Sequence, residues 1–177
     1  MIADNRPVPC APRPEIRRIR AGEAPALREL RLRALADAPA AFASSVAAES
    51  QLPDDHWLQL VDDALAGEEA TVTVALDGAR WVGMAAGRWF ERERGIAQLW
   101  GLWVDPDARG TGTAPALVGA VRDWAAAGGA TFIRLGLIEP ADALRRFYAR
   151  LGFVALDDPA PMRIDPTRLA VFMVRPV

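Results

Sequence analysis

The chain has 177 residues, of which 51% are hydrophobic and 25% charged, a composition typical of one soluble globular domain. Its formal net charge of -2 gives no electrostatic reason to expect nucleic acid or an anionic membrane as a partner. Because Cys10 is the only cysteine, an internal disulfide is excluded. His56 is the only histidine, so we predict no metal site. No membrane-spanning segment or signal-peptide core is evident, so we expect a cytoplasmic protein.

The N-terminal residues differ in character from the rest of the chain. Residues 1–14 contain four prolines among small and polar side chains, which predicts a disordered tail. Cys10 lies in this tail, where no base is placed near its thiol. We predict that the remaining residues, 15–177, form a single domain.

Alternation, helical periodicity and turn residues divide the next part of the chain into ordered elements. They predict a strand over 15–20, a helix over 22–35 whose arginines face solvent, a short helical region ending near Glu49, a helix from Asp54 or Asp55 to Leu65, and strands over 70–76 and 81–89 joined by a turn at Asp77-Gly78. The last two strands and a third over 96–104 form a predicted antiparallel meander.

The middle of the chain contains a strand, a glycine loop and a helix without interruption. The strand over 96–104 is apolar and aromatic, and it stops at Asp105-Pro106 because proline cannot donate to a sheet ladder. The loop runs from Arg109 to Ala114, and apolar residues at helical spacing follow it. Thr113 is the predicted N-cap, and Pro115 suits the first turn of the helix.

This loop is a predicted anion site. Glycines let the backbone turn several N–H groups toward a ligand, and the positive end of the helix dipole adds to their attraction. A pyrophosphate is the anion that such a cradle suits best. Two common phosphate loops are excluded, because Pro115 stands where a dinucleotide fingerprint needs its third glycine and no Gly-Lys-Ser/Thr sequence follows.

The C-terminal part of the chain returns to the sheet. The loop helix ends near Gly128-Gly129, and residues 131–138 predict a strand that pairs in parallel with Leu99–Val104 through that helix. Residues 142–151 predict another helix, closed by Gly152. The closing strands are predicted over 154–156 and 169–175, with a proline-rich stretch over 158–166 between them.

Three stretches resemble the GNAT (Gcn5-related N-acetyltransferase) superfamily. The pattern Arg-x-x-Gly-x-Ala, at Arg109, Gly112 and Ala114, resembles its acyl-CoA loop. The segment from Phe147 to Phe153 resembles its tyrosine-containing helix followed by Gly-Phe, and residues 27–42 resemble its first helical region. The resemblance implies an α+β fold with a central mixed, mostly antiparallel sheet, a splayed parallel strand pair, and helices on both faces.

The resemblance also implies acetyl-CoA as the cosubstrate and no metal. The loop would hold the pyrophosphate with the backbone amides of Arg109, Gly110, Thr111, Gly112, Thr113 and Ala114. The preceding strand would run along the pantetheine arm with Leu102, Trp103 and Val104. The arm would enter where that strand and residues 131–138 splay apart. A backbone N–H of the strand would polarise the thioester carbonyl.

The catalytic groups follow only in part from the resemblance. Tyr148, the only tyrosine of the chain, occupies the position of the family's general acid near the CoA sulfur, where it would also contact CoA. Gln98 stands where many relatives carry a glutamate, and an amide orients a water or an amine but does not accept its proton. Glu139 is the first alternative base and His56 the second.

One CoA contact is also in question. The family usually has an asparagine about seven residues before the tyrosine, and Ala141 takes that position here. We expect the neighbouring Asp142 to cap the helix rather than to replace the amide.

Two functions from different classes therefore remain open, and a third is weaker. The first is an N-acetyltransferase acting on a primary amine of a small molecule or a peptide, with Phe42, Trp57 and Trp89 as candidate aromatic residues of the acceptor site. The second is an inactive acyl-CoA-binding or regulatory domain of the same fold, and the third a phosphate-binding structural module. A homodimer formed through sheet edges is a further prediction.

Overall fold

A computed structural model of the chain describes residues 13–156, 159–162 and 165–177. The predicted N-terminal tail, with Cys10, lies outside the described residues apart from Arg13 and Pro14. The elements are β1 (Glu15–Arg18), α1 (Ala24–Asp37), α2 (Val46–Glu49), α3 (Asp54–Ala66), β2 (Ala70–Asp77), β3 (Arg80–Glu91), β4 (Ile96–Val104), α4 (Thr113–Ala127), β5 (Phe132–Ile138), α5 (Asp142–Arg150), β6 (Val154–Ala155), β7 (Ala160–Pro161) and β8 (Leu169–Pro176).

The strands form one mixed sheet in the order β1-β2-β3-β4-β5-β8-β6, and β7 pairs with the other half of β8. Among the described strands only β4 and β5 pair in parallel, because the crossover through α4 brings β5 back in the direction of β4. All other neighbouring strands are antiparallel. The predicted mostly antiparallel sheet with one parallel pair is therefore confirmed.

The parallel pair separates after a short contact. Ile96–Gln98 pairs with Phe132–Arg134, and the remaining halves of the two strands have no ladder between them. The prediction that residues 131–138 pair with Leu99–Val104 is therefore wrong in its register, although the predicted splay is present. One edge of the C-terminal half of β4 therefore has no strand partner among the described residues.

A β-bulge in β4 accounts for the separation. Met84 lies opposite Trp103 and Ala86 opposite Trp100, so Gly101 and Leu102 together oppose the single Ala85. The extra residue bends the strand and increases its twist. The bulge needs glycine at this position, because Gly101 has a φ of 66°, in the left-handed region that other residues rarely adopt.

Helices cover both faces of the sheet, as predicted. On one face, α1 and α3 bury Leu30 and Trp57 against Val74 of β2. On the other face, α4 and α5 bury Leu117 and Tyr148 over the centre of the sheet. No helix within the described residues is long and apolar enough to cross a lipid bilayer.

The arginines of α1 are a correction to the sequence analysis. We predicted a solvent-exposed basic face, but the side chain of Arg31 is only 11% exposed and forms an ion pair with Glu49 of α2. Arg33 forms an ion pair with the buried Asp105 and lies 5.5 Å from the ring centroid of Trp103. The apolar and the basic residues of α1 both recur at helical spacing. The sequence pattern therefore shows two faces of the helix but not that other parts of the protein cover both of them.

The connection predicted over 158–166 contains a strand that the sequence did not indicate. Ala160 and Pro161 form β7 and pair with Ala170 and Leu169 of β8. A two-residue strand that includes proline gives no alternation and little β-propensity, so no pattern predicts it. Residues 157–158 and 163–164 of this connection lie outside the described part of the chain.

Asp105, at the end of β4, anchors the strand to two other elements. It is 5% exposed, and its carboxylate accepts hydrogen bonds from Arg33, from Arg80 at 2.9 Å and from the backbone N–H of Asp107 at 3.2 Å. Burial alone would raise the pKa of this carboxyl, but these hydrogen bonds and the two guanidinium charges hold it below its usual value.

We predict that Asp105→Asn lowers the free energy of unfolding by about 2 kcal/mol at pH 7, because two guanidinium groups lose their counter-charge. A carboxyl whose pKa is lowered by folding stabilises the native state above its unfolded-state pKa and loses that effect as the pH falls. The difference between wild type and variant should therefore shrink toward pH 3. Urea denaturation at pH 7 and pH 3 measures both values, and an equal difference at the two pH values would contradict the assignment.

Candidate active site

A cleft of about 910 Å³ lies where β4 and β5 separate. One wall is β4 from Gln98 to Val104 and the opposite wall is β5 from Leu135 to Ile138. Tyr148 of α5 and Phe42, which follows α1, close its sides. Because the β4 edge carries unpaired backbone groups, the cleft offers hydrogen-bonding partners to an extended ligand that runs along the strand.

The glycine loop lies at the end of this cleft, where α4 begins. Gly110 and Gly112 have φ values of 77° and 86°, and a Cβ atom on either residue would meet no atom within 4 Å. The first intrahelical bond runs from Ala116 to the carbonyl of Gly112, so the N–H groups at the start of α4 have no acceptor in the helix. The loop therefore presents free donors and open space, as an anion site requires.

The threonines of the loop have a different role from the predicted one. The N-cap position is Gly112, and Thr113 is the first helical residue. Its buried hydroxyl is 2.7 Å from the hydroxyl of Thr111, which in turn donates to the carbonyl of Ala108 at 2.7 Å. The predicted N-cap at Thr113 is therefore wrong by one residue, because glycine takes the left-handed conformation needed there. Both hydroxyls fix the loop from within.

The side chain of Arg109 ties the loop to α1. Its Nε donates to the carbonyl of Val104 at 3.0 Å, and its guanidinium forms an ion pair with Asp37. The same carboxylate accepts a hydrogen bond of 2.9 Å from the indole Nε1 of Trp103. Arg109 also lines the cleft. Asp37, which the sequence analysis did not single out, thus holds the loop and β4 at the C-terminal end of α1.

Tyr148 lies on the inner face of α5, between the cleft and the core. Its ring makes edge contacts with Phe147 and Phe153, at centroid distances of 4.9 Å and 5.5 Å. The side chain is 5% exposed, and burial raises the pKa of its phenol well above the usual value. The hydroxyl is therefore protonated throughout the physiological pH range.

Comparison with protein-family models gives a match to the acetyltransferase (GNAT) family over residues 30–153, which is more than half of the chain. The chain belongs to the GNAT family. The match includes β4, the glycine loop and α5, and it confirms the resemblance found in the sequence. A comparison with curated proteins gives no significant match.

Solved structures of GNAT enzymes have the same fold. An acetyltransferase of the GNAT family from Streptococcus pneumoniae has a TM-score of 0.77 and 15% identity, covering 93% of this chain and 99% of its own. Spermidine N-acetyltransferase from Vibrio cholerae, in complex with CoA and spermine, has a TM-score of 0.73 and 13% identity, and the match covers 93% of this chain and 95% of that one. Phosphinothricin acetyltransferase from Sinorhizobium meliloti, in complex with AcCoA, has a TM-score of 0.72 and 18% identity, and the match covers 93% of this chain and 88% of that one.

Two candidate catalytic residues of this GNAT chain, Gln98 and Glu139, lie in different surroundings. Gln98 lines the cleft at the last position of β4 that pairs with β5, opposite Arg134. Glu139 follows β5 and is not among the residues that line the cleft. Its carboxylate accepts hydrogen bonds from Arg145 at 2.8 Å and from the N–H of Ala141 at 2.9 Å. Glu139 thus closes the turn into α5, and the structure does not place it beside Gln98.

The residues before Tyr148 also differ from the prediction. Asp142, the expected cap, is the first residue of α5, and the N-cap position is Ala141, which makes no side-chain cap bond. Instead, the backbone N–H of Ala141 donates a hydrogen bond to the Glu139 carboxylate. Ala141 is 4% exposed and packs into the core, so the position of the family's asparagine is occupied by a small apolar side chain.

A second cavity of about 280 Å³ lies beside the cleft, between α1, α2, α3 and the strands β3 and β4. Arg31, Trp100 and Gly101 line both spaces, so the two meet at the bulge of β4. Trp57 lines the second cavity and is 3% exposed, and His56, whose ring lies 5.4 Å from that of Trp57, is at its rim. This cavity reaches the bulge on the face of the sheet opposite α5.

The three predicted aromatic acceptor residues separate in space. Phe42 lines the cleft and Trp57 the second cavity. Trp89 lines neither, because it lies at the far end of β3, where its indole Nε1 donates to the carbonyl of Glu68 at 2.9 Å and its ring packs on Trp124. Sequence reasoning missed Arg31 and Trp100, which lie at the junction of the two spaces.

No group of three or more His, Cys, Asp or Glu side chains in the described ranges is arranged to hold a metal ion.

Proposed function

We propose that this protein is an N-acetyltransferase that moves an acetyl group from acetyl-CoA directly to a primary amine of a small molecule or a peptide. The observation that carries the proposal is the meeting of the cleft and the second cavity at Gly101 and Trp100. One space suits an elongated donor and the other a compact acceptor. Two substrates bound in this way would be held for reaction in one ternary complex, which lowers the entropic part of the barrier.

The described residues fit acetyl-CoA. The free amides from Gly110 to Ala114 suit its pyrophosphate, because they combine unpaired N–H groups with the N-terminus of α4. The edge of β4 from Leu102 to Val104, which has no ladder with β5, suits the amides of the pantetheine arm. When bound, acetyl-CoA supplies an activated acetyl group as a thioester.

The cleft supports acyl transfer with groups of the chain itself. A backbone N–H on the free edge of Leu102–Val104 polarises the reacting carbonyl. Gln98 orients the amine or a water that takes its proton. Tyr148 donates its proton to the departing sulfur. The C–N bond forms as the C–S bond breaks, the amine releases one proton to the water or base beside it, and Tyr148 regains from solvent the proton that it gave to the sulfur.

His56 and Glu139 are the two titratable candidates for the base. His56 lies at the rim of the second cavity, from which the amine enters. Glu139 is engaged by Arg145. We therefore place His56 before Glu139, which reverses the order that the sequence favoured.

The test is thiol release from acetyl-CoA with a panel of primary amines, including polyamines, amino acids and peptides. Amine-dependent release, with the acetylated amine found by mass spectrometry, is the expected result. CoA binding without any amine-dependent release would favour the inactive acyl-CoA-binding domain, for which Gln98 and Ala141 are the supporting features. Sedimentation of the same preparation tests the proposed homodimer.

A further inference from the structure

Two arginines flank Gln98 across the sheet. Arg88 of β3 pairs with Gln98 of β4, and Gln98 pairs with Arg134 of β5. Directly paired residues project from the same face of a sheet, so these three side chains form a row across three neighbouring strands. We call Arg88, Gln98 and Arg134 the arginine strip. Because Gln98 also lines the cleft, the arginine strip lies directly beside the candidate active site.

The arginine strip lies on the acceptor side of the sheet. Ala86, two residues before Arg88, and Trp100, two residues after Gln98, both line the second cavity. Side chains alternate between the two faces of a strand, so the arginine strip is on the same face as that cavity. The helices on this face do not cover the strip, since the neighbouring rings of Phe90 and Phe172 are 43% and 40% exposed.

Two phenylalanines hold the guanidinium of Arg134. Its Cζ atom lies 3.8 Å from the ring centroid of Phe90 and 4.1 Å from that of Phe172. Gly136 makes room for the second ring, because a Cβ atom there would lie 3.1 Å from Cε1 of Phe172. A guanidinium that stacks on aromatic rings keeps its planar edge of N–H donors for an anion. The rings therefore fix the charge of Arg134 in position before a ligand arrives.

Neither arginine of the arginine strip forms an ion pair with an acidic side chain of the described residues. Glu91, at the end of β3, pairs instead with Arg94 at 3.0 Å. Burial lowers the pKa of Arg134, and the charge of Glu91 opposes this effect only in part. Two positive charges without a paired counter-charge thus lie beside the cleft, which favours a ligand with an anionic group.

The distance from the arginine strip to the bulge limits which ligands reach both. Gln98 comes three residues before Gly101, and a strand rises about 3.3 Å per residue, so roughly 10 Å separates the two positions. The amine and the carboxylates of a single amino acid lie closer together than this. An extended peptide spans about 3.5 Å per residue. If its terminal amine lies at the bulge, its third or fourth residue therefore reaches the strip.

We propose that the acceptor is the amino terminus of a peptide with an acidic side chain at its third or fourth residue, which binds Arg88 and Arg134. The proposal rests on the proposed function, because it places the reacting amine at the bulge of β4. The two arginines are binding residues that select the substrate and take no part in proton transfer. The first residue of the peptide enters the second cavity, and the following residues lie over the sheet toward the arginine strip.

The test compares two tetrapeptide amides that have glutamate or glutamine at the third position and alanine elsewhere. Their reacting amines are identical, so the ratio of their kcat/KM values reports only on the acidic side chain. Wild type should prefer the glutamate peptide by about tenfold at low salt. The ratio should fall toward one in about 0.5 M NaCl, because salt screens charges at the surface. This salt comparison needs no variant.

Variants assign the preference to the arginine strip. The double variant Arg88→Gln, Arg134→Gln should lower the ratio to about one, since neither charge remains. Arg122→Gln removes an arginine of α4, on the opposite face of the sheet, and should leave the ratio unchanged. Melting curves establish that each variant is folded. A wild-type ratio near one, or a ratio that is unchanged in the double variant, would overturn the proposal.

A short substrate pair tests the distance. The α-amides of glutamate and glutamine differ in the same way as the two peptides, but they do not span the roughly 10 Å from the bulge to the arginine strip. Wild type should therefore acetylate the short pair with a ratio near one. A preference as large as that for the tetrapeptides would place the anion site closer to the bulge and overturn the peptide assignment.

Binding alone separates this proposal from the proposed function. The N-acetylated forms of the two tetrapeptides have no free amine, so calorimetric titration with them in the presence of CoA needs no turnover. Tighter binding of the glutamate form, lost in the double variant, would support the acidic-peptide site even if no amine were acetylated, and then only the proposed function would fail. Equal binding of the two forms by wild type would overturn the acidic-peptide site, whatever amine the enzyme acetylates.

Discussion

Gly112→Trp is expected to abolish acetyl-CoA binding. Wild type should bind in the micromolar range, which corresponds to about -8 kcal/mol, and the variant should bind at least about 100-fold more weakly. Gly112 is the N-cap of α4, with a φ of 86° and open space where a Cβ would stand. An indole there would fill the cradle and turn the free amides away from the pyrophosphate. Isothermal titration calorimetry with acetyl-CoA measures both affinities.

Gly129→Trp is the matched control for backbone strain. Gly129 lies just beyond the other end of α4, has a φ of 88°, and also has no atom within 4 Å of a Cβ position. Both variants therefore force a bulky residue into the left-handed region at comparable cost. Gly129→Trp should keep wild-type affinity even if its melting temperature falls. Equal losses in the two variants would show that strain, and not the cradle, explains the effect.

A nucleotide control distinguishes CoA recognition from general phosphate binding. If the loop only binds phosphates, ATP should compete with acetyl-CoA at similar concentrations. If the free edge of β4 also contributes, acetyl-CoA should bind much more tightly than ATP, because ATP has no pantetheine arm to pair with Leu102–Val104. The first outcome would support the phosphate-binding module over both CoA functions.

Local patterns predicted most of the fold. Strand β4 is a nine-residue apolar run stopped by Asp105-Pro106, and its predicted and observed bounds agree. The hairpin of β2 and β3 follows from alternation around Asp77-Gly78. Each of these signals depends on neighbours in sequence, which is why they could be read without coordinates.

Local patterns could not predict the bulge, and the splay was predicted only from the family resemblance. Gly101 gives a hint of a bulge, but its effect depends on the register between β3 and β4, which is a relation between strands. The role of Arg31 was missed for the same reason. Its partner Glu49 is eighteen residues away on another helix, and an arginine pattern on α1 alone predicts a solvent-exposed face.

The base assignment shows how a tertiary contact changes a local inference. Glu139 follows the strand at the edge where a catalytic group belongs, so the sequence favoured it. The structure instead engages its carboxylate with Arg145, six residues later, and with the N–H of Ala141. A carboxylate in the turn between a strand and a helix accepts hydrogen bonds from backbone N–H groups of that turn. A carboxylate engaged in this way is less available to accept a proton from a substrate.

Tyr148→Phe is expected to lower kcat by about 100-fold while leaving the affinity for acetyl-CoA within about twofold of wild type. The substitution removes one oxygen atom and keeps the ring that packs on Phe147 and Phe153. A general acid acts on the leaving group, so its loss raises the barrier of the chemical step and changes ground-state binding little. Steady-state thiol release and calorimetry measure the two quantities.

The pH dependence of kcat is a second test of the role of Tyr148. Burial raises the pKa of Tyr148, so in wild type the phenol stays protonated and no loss of activity from its ionisation should occur below pH 10. A tyrosine that serves only as packing would leave kcat nearly unchanged when replaced by phenylalanine. Leu144→Ala, which alters the same wall of the cleft but removes no proton donor, is the comparison variant. If Leu144→Ala lowers kcat as much as Tyr148→Phe does, the shape of the wall and not the hydroxyl determines the rate.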